Sequence, residues 1–174
     1  MINKSNRTLQ EEKALLARLK NGEKDAFDVM ILECQPLLFR QARLLLGSAD
    51  SAEEALQEIF LRAFTKIRTL EGGNIKSWLL SITHNHCVDL LRKGKRRKEF
   101  PTDFQELEVA VEADFSLPGD LPECLKSLSP LHREVFFFRI VEELGYDEIS
   151  EITGFSEGTL RNAFSQALRL LRQG

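Results

Sequence analysis

The chain has 174 residues, 43% of them hydrophobic and 29% charged, with a formal net charge of −3. That composition suits one or two small globular domains and excludes a disordered tail, and no apolar run approaches the ~20 residues of a membrane span. The polar start Met1-Ile2-Asn3-Lys4-Ser5 is no signal peptide, and Cys34, Cys87 and Cys124 are too few and too scattered for a disulfide framework or a zinc ribbon, so a cytoplasmic protein with reduced cysteines is expected.

Leu9 to Lys20 places apolar residues at Leu9, Leu15, Leu16 and Leu19 and stops at Asn21-Gly22, predicting a short amphipathic helix. A second helix is predicted from Asp25 as N-cap through Phe27, Met30, Ile31, Leu38, Ala42 and Leu45 to Gly47, kinked at Pro36. In the third, Ser51 and Glu54 are spaced as a capping box. Leu56, Ile59, Phe60, Ala63, Phe64 and Ile67 form its apolar stripe, opposite Glu53, Gln57, Glu58, Leu61 and Arg62. Glu71-Gly72-Gly73-Asn74 breaks the pattern. A fourth helix is predicted from near Ser77, with Trp78, Leu79, Ile82, Leu90 and Leu91 apolar, running into the basic stretch Arg92-Lys93-Gly94-Lys95-Arg96-Arg97-Lys98.

The net charge conceals three unlike segments. Residues 1–98 hold 18 basic and 12 acidic residues, residues 99–120 hold seven acidic and no basic ones, and residues 121–174 hold six basic and eight acidic ones. Any attraction for nucleic acid should therefore come mainly from the first segment. The middle segment, with Pro101, Pro118 and Gly119, reads as an acidic flexible linker. The third should begin at Leu121 with a short helix through Leu125 and Leu128. A second helix is expected from Pro130 through Val135, Phe138 and Ile140. The expected fold is all-α: two small helical domains, 1–98 and 121–174, joined by residues 99–120.

The last segment ends in a helix-turn-helix pattern. Ile149 and Ile152 share a face, Gly154 can adopt the left-handed conformation that stops a helix, Phe155 can plug the corner, and Ser156 is a good N-cap. The helix that follows should bury Leu160, Phe164, Ala167 and Leu171. Thr159, Arg161, Asn162, Ser165, Gln166 and Arg169 would face outward, and groups of that kind hydrogen-bond to base edges and phosphates. His84, His86 and Cys87 are close in sequence, but positions i, i+2 and i+3 do not converge on one helix face, so no metal site is expected. No phosphate loop, metal-protease motif or nucleophile-base arrangement points to an enzyme, and no cofactor is expected.

Ala52-Glu53-Glu54-Ala55-Leu56-Gln57-Glu58-Ile59-Phe60-Leu61-Arg62-Ala63-Phe64, followed by Ser77-Trp78-Leu79-Leu80-Ser81-Ile82-Thr83-His84-Asn85 and Asp89-Leu90-Leu91-Arg92, resembles region 2 of bacterial sigma factors of the extracytoplasmic-function type. Leu128-Ser129-Pro130-Leu131-His132-Arg133-Glu134-Val135, with Tyr146 to Ile152 and Ser156 to Leu160, resembles their region 4. The resemblance implies a promoter-specificity factor without catalysis, partnered by core RNA polymerase at its β′ clamp helices and β flap, by promoter DNA and, as is common in the family, by an anti-sigma protein. It implies polymerase contacts at Glu53, Glu54, Gln57, Glu58, Leu61 and Arg62. Minus-ten DNA falls to Lys76, Trp78, Asn85, Arg92, Lys93, Lys95, Arg96 and Arg97. Minus-thirty-five DNA falls to Ser156, Glu157, Thr159, Arg161, Asn162, Ser165, Gln166 and Arg169. For Trp78 itself, core packing is the preferred role. The family usually places arginine where Ala163 stands and a basic residue where Gln166 stands; Ala163 is thereby expected near the duplex, where Ala163→Arg would add a phosphate contact. The alternatives are a helix-turn-helix regulator acting without polymerase, which would need a dimerisation helix, and a polymerase-sequestering protein without initiation activity.

Overall fold

A computed structural model describes residues 8–71, 74–96, 125 and 128–172, without the side chains of residues 95 and 96. Among these residues the regular elements are all helical. Helix α1 spans Leu9–Lys20, and its first turn is closed by a capping box: the Thr8 hydroxyl accepts from the Glu11 N–H, and the Glu11 carboxylate accepts from the Thr8 N–H. Leu15, Leu16 and Leu19 are buried, whereas Leu9 is exposed and stands outside the apolar face expected to include it. Helix α2, Lys24–Leu46, is capped by Glu23, so Asp25 lies in the first turn, where its charge suits the helix dipole, and is not the cap. Pro36 sits within α2. It removes a hydrogen bond to the carbonyl of Leu32, a highly exposed residue at which water can satisfy that group. Helix α2 ends at Gly47 as expected, and the glycine does so with a left-handed φ of 81°.

Helix α3, Ala49–Lys66, begins before the expected Ser51-Glu54 box. Its cap is Ser48, whose hydroxyl accepts from the Ser51 N–H. Ala52, Ala55, Leu56, Ile59, Ala63 and Ile67 are buried, but Phe60 is half-buried and Phe64 is 58% exposed. Residues 60 and 64 each lie one residue, about 100° of rotation, beyond the buried row 52-56-59-63, and so fall on its shoulder. A 3-10 turn, Ile67–Thr69, follows. Helix α4, Ile75–Arg96, starts ahead of Ser77 because the Asn74 carboxamide accepts from the Ser77 N–H. Leu79, Leu80 and Cys87 are buried and Trp78 packs half-buried on the core, while Leu90 is exposed and leaves the expected stripe.

In the C-terminal unit, Leu125 and Leu128 are buried against Ala167. Helix α5, Pro130–Phe136, has proline in its first turn and the Ser129 hydroxyl as cap. The helix expected to continue through Ile140 instead widens into a π turn, Phe137–Val141, which keeps Phe137 and Phe138 inward and leaves Ile140 exposed. Helix α6, Tyr146–Thr153, and helix α7, Glu157–Leu171, complete the unit. The linker, Cys124, the predicted start at Leu121, Gly72, Gly73, Arg97 and Lys98 lie outside the described residues.

Helices α2, α3 and α4 pack together with α1 against α2; α5, α6 and α7 form a second set. The two sets touch where α5 meets α2 and α6 meets α4, and one apolar cluster runs through both, from Leu38 and Leu79 to Val135, Phe138, Ile149 and Leu160.

Candidate nucleic-acid and partner interface

Three surfaces carry the residues singled out in the sequence. On α3, Glu53, Glu54, Gln57, Glu58 and Leu61 are exposed and Arg62 is half-buried. Phe64, three residues beyond Leu61, joins this outward side and rests against Phe27, ring centroids 4.8 Å apart. Counting Phe64 as core concealed it. Leu61 and Phe64 are thus two exposed apolar side chains on the helix that also carries Glu53, Glu54 and Glu58.

On α4, Lys76 opens the helix, Asn85 is exposed and Arg92 and Lys93 follow on the exposed end. The Asn85 amide donates to the Ser81 carbonyl at 2.9 Å and lies 3.4 Å from the Ser81 hydroxyl. Lys95 and Arg96 belong to α4, but their side chains, like all of Arg97, are outside the described residues. His84 and His86, two and four residues along from Ile82, are buried, and no group of three or more potential metal ligands occurs among the described residues.

The helix-turn-helix is built as its sequence implied. Ile149 and Ile152 are buried, and Gly154 takes a φ of 77°. The Ser150 hydroxyl donates to the Phe155 carbonyl at 2.7 Å, and the Ser156 hydroxyl accepts from the Thr159 N–H. On α7, Ser156, Glu157, Thr159, Arg161, Asn162, Ser165 and Arg169 are exposed, whereas Gln166 is half-buried with its amide near Asn162. Arg161 pairs with Glu157 at 2.9 Å and lies 4.3 Å above the Tyr146 ring, which fixes the guanidinium at the α6–α7 junction. Ala163 contradicts its expected place near DNA: it is 5% exposed and belongs to the core. It follows Leu160 by three residues and precedes Ala167 by four, which is the buried side of the helix.

What sequence reasoning missed lies between the two helical sets. Glu134 on α5, fully buried, accepts from the Gln41 amide of α2 at 2.8 Å and is 2.8 Å from His84 Nδ1 of α4. Gln41 also donates to the Leu80 carbonyl. Beside it, Arg133 donates to the carbonyls of Leu128 and Leu44, the latter near the end of α2, where helix carbonyls lack partners. Burial pulls the Arg133 guanidinium down to about 10. Burial alone would also lower His84, but the adjacent Glu134 carboxylate, by charge and hydrogen bond, outweighs it and holds the imidazole above its ordinary value. At His86, where Glu58 and Asp89 raise the value, and at His132, where Gln166 does, the compensation is too weak, and burial holds both low. Burial likewise pushes the Cys87 thiol upward, away from reactivity. Further along, Glu142 meets Lys76 at 2.9 Å and Arg40 at 3.6 Å. A sequence signal for this junction did exist, since Gln41 and His84 interrupt otherwise apolar stripes.

Comparison with known proteins joins these surfaces. Residues 30–97 match the family described as Sigma-70 region 2, and residues 119–171 match the one described as Sigma-70, region 4. The extracytoplasmic-function (ECF) RNA polymerase sigma factor SigE of Mycolicibacterium smegmatis is 29% identical over 155 residues, covering 84% of this chain; the chain spans 60% of SigE's length. RNA polymerase sigma factor SigV of Bacillus subtilis is 29% identical over 135 residues, covering 77% of this chain and 81% of SigV. Among solved structures, the sigma factor RpoE of Bartonella quintana, crystallised with the anti-sigma factor NepR, aligns with a TM-score of 0.66 at 26% identity over 84% of this chain and 94% of that one. With both regions present in order, and with relatives and a solved structure of the same kind matching across most of its length, the chain belongs to the sigma-70 family, in its extracytoplasmic-function branch.

Proposed function

We propose that this chain binds core RNA polymerase and directs promoter-specific initiation of transcription, with residues 1–98 as the unit that engages polymerase and the minus-ten element, residues 99–120 as a linker, and residues 121–174 as the unit that reads the minus-thirty-five element. The observation that carries this reading is the occurrence of both sigma modules in order on one chain. Supporting it, the outward α3 side joins carboxylates to Leu61 and Phe64, a surface suited to a protein partner with basic and apolar groups. The exposed α7 side offers Arg161, Asn162, Ser165 and Arg169 for a major groove and its phosphates. The α4 surface offers Asn85 for a base edge and cationic residues for the backbone. The chain's own part is recognition and assembly; the chemistry of RNA synthesis is assigned to the polymerase. None of the described helices is long and apolar enough to cross a membrane. An anti-sigma protein is a further proposed partner, since RpoE was crystallised with one.

Spacing adds a requirement. Two elements about 25 base pairs apart at ~3.4 Å each lie roughly 85 Å from one another, while a compact chain of this length is roughly 40 Å across. The packed arrangement therefore has to open before both units can reach DNA. Transcription in vitro with core polymerase and genomic fragments tests the function: added chain should yield transcripts from specific start sites. Binding to polymerase without such transcripts would instead support a sequestering protein, and promoter binding without polymerase would support an independent regulator.

A further inference from the structure

We infer that Arg40 and Lys76 form a binding site for a nucleic-acid phosphate, and that Glu142 occupies it as a built-in competitor while the two helical units are packed together. This rests on the reading that the chain binds promoter DNA. Arg40 projects from α2 and Lys76 from the first turn of α4, two elements of the N-terminal unit, and both approach one carboxylate of the C-terminal unit. Lys76 Nζ is 2.9 Å from Glu142 Oε2 and makes a full hydrogen bond. Arg40 Nη2 lies 3.6 Å from Oε1, beyond hydrogen-bond reach.

The fit is consequently incomplete on the arginine side. Arg40 Nε and Glu142 Oε1 are both buried without a hydrogen-bond partner, although the Glu142 side chain is only 4% exposed. A guanidinium is a planar fork whose parallel N–H groups suit two oxygens of one anion, and a phosphodiester presents an oxyanion pair that can take such a fork while also accepting from an ammonium. A single carboxylate shared with Lys76 leaves the Nε arm unused. A second partner of Arg40 is also supplied by the C-terminal unit, since its guanidinium lies 5.8 Å from the centre of the Phe137 ring. Separation of the units would thus remove the ring and the carboxylate together and leave two cations facing solvent. Glu142 follows the π turn and precedes Glu143, which has a φ of 56°. That conformation is rarely adopted by a side-chain-bearing residue, and it stands next to the residue that meets the N-terminal unit.

The site is local and has its own consequences. Opening becomes coupled to DNA binding, because the same two cations serve Glu142 in the packed form and phosphate in the open one. The ligand is defined by charge and not by base, so the site should raise affinity for single-stranded promoter DNA without adding sequence preference.

The test uses the full chain, without polymerase, and a fluorescein-labelled single-stranded oligonucleotide followed by anisotropy across a salt titration that starts at low salt. Glu142→Gln should tighten binding roughly fivefold, the equivalent of removing a partly exposed competing ion pair. Arg40→Gln should lower the dependence of log affinity on log salt by about 0.7, the value of one phosphate contact on a single strand, and Arg40→Lys should retain most of that dependence. The decisive comparison is Glu142→Gln in an Arg40→Gln, Lys76→Gln background, where the fivefold gain should vanish. An equal gain in that background would show that Glu142 only holds the units closed, and would overturn the site. Absence of measurable binding by both the native chain and Glu142→Gln would overturn it equally. A chain that directs transcription but shows no coupling keeps the proposed function and loses this site; coupling without transcription leaves the site and removes that function.

Discussion

The C-terminal unit meets its surroundings through two kinds of contact. Within the unit, Leu125, Leu128 and Ala167 form an apolar cluster of their own, with Phe136 and Leu171 packed against it. Towards the N-terminal unit, apolar residues such as Val135 and Phe138 are joined by a dense set of polar ones: Arg133, Glu134 and Glu142 on one side, Arg40, Gln41, Lys76 and His84 on the other. The difference indicates which contact is made to last. Apolar surface has no good partner in water, whereas carboxylates, imidazoles and guanidinium groups are well solvated when a contact opens. A junction rich in such groups is specific when closed and can separate without leaving a wholly apolar face.

The largest expected effect comes from stranding the partners at the centre of that junction. Glu134→Ala leaves Gln41 and His84 buried without their common acceptor and should destabilise the packed form by about 3–5 kcal/mol, as is typical when one member of a buried pair is deleted. Urea unfolding would register the loss, and small-angle scattering would register an increased radius of gyration. Unchanged values in both would assign the cohesion to the apolar cluster alone.

Ala163→Arg probes the other kind of contact. Because Ala163 is buried in the core, the guanidinium would overpack α7 and lose solvation, at a cost of about 2–3 kcal/mol. The resemblance suggested a gain in DNA affinity from this change; thermal unfolding of the variant should show a loss of stability instead.

That reversal illustrates what the sequence made legible. Helices, their order and the helix-turn-helix followed from local periodicity; Gly154 adopts the left-handed cap expected of it, and the second helix stops at Gly47 as read. Helix starts were less legible, since Ser48 and Ser51 are equally plausible caps for α3 until packing selects one. The π turn at Phe137–Val141 has no periodic signature strong enough to separate it from a continuing helix. The junction was illegible for a different reason: Gln41 and Glu134 are 93 residues apart and His84 and Glu134 are 50 apart, so neither pair has a local pattern. Only the polar interruptions in the stripes of α2 and α4 pointed to unseen partners. Of the surfaces proposed for DNA and polymerase, most residues are exposed as expected. Ala163 and Gln166 are where periodicity and family pattern diverged.

A smaller and graded effect should follow pH. Glu134 of α5 raises His84, opposed by burial and by Arg92 of α4, with Cys87 of α4 and the Phe155 ring also close by. A raised histidine contributes fully below its ordinary value near 6.5, and that contribution is lost as pH rises through the higher value of the packed state. His86 and His132, held low, act with the opposite sign: their contribution is present above 6.5 and is lost as pH falls below it, through the lower values of the packed state. The His84 part is therefore the difference between native chain and His84→Gln: unfolding stability of the native chain should decline more on going from mildly acid to alkaline pH. Parallel profiles would remove His84 from the junction's energetics.

The smallest effect on stability should come from the outward α3 side. Gln57→Ala with Leu61→Ala should change folding stability by no more than about 0.5 kcal/mol while weakening affinity for core polymerase, measured by fluorescence titration. Undiminished affinity would remove this side from the polymerase interface.

The central claim, that two units packed through a polar junction separate to work on a promoter, is tested most directly by distance. A donor at residue 65 on α3 and an acceptor at residue 165 on α7, both exposed positions, would report it by single-molecule energy transfer. In the free chain the separation should stay within about 40 Å. With core polymerase and promoter DNA it should exceed about 60 Å, as two elements roughly 85 Å apart require. One unchanged short distance in both conditions would contradict the claim.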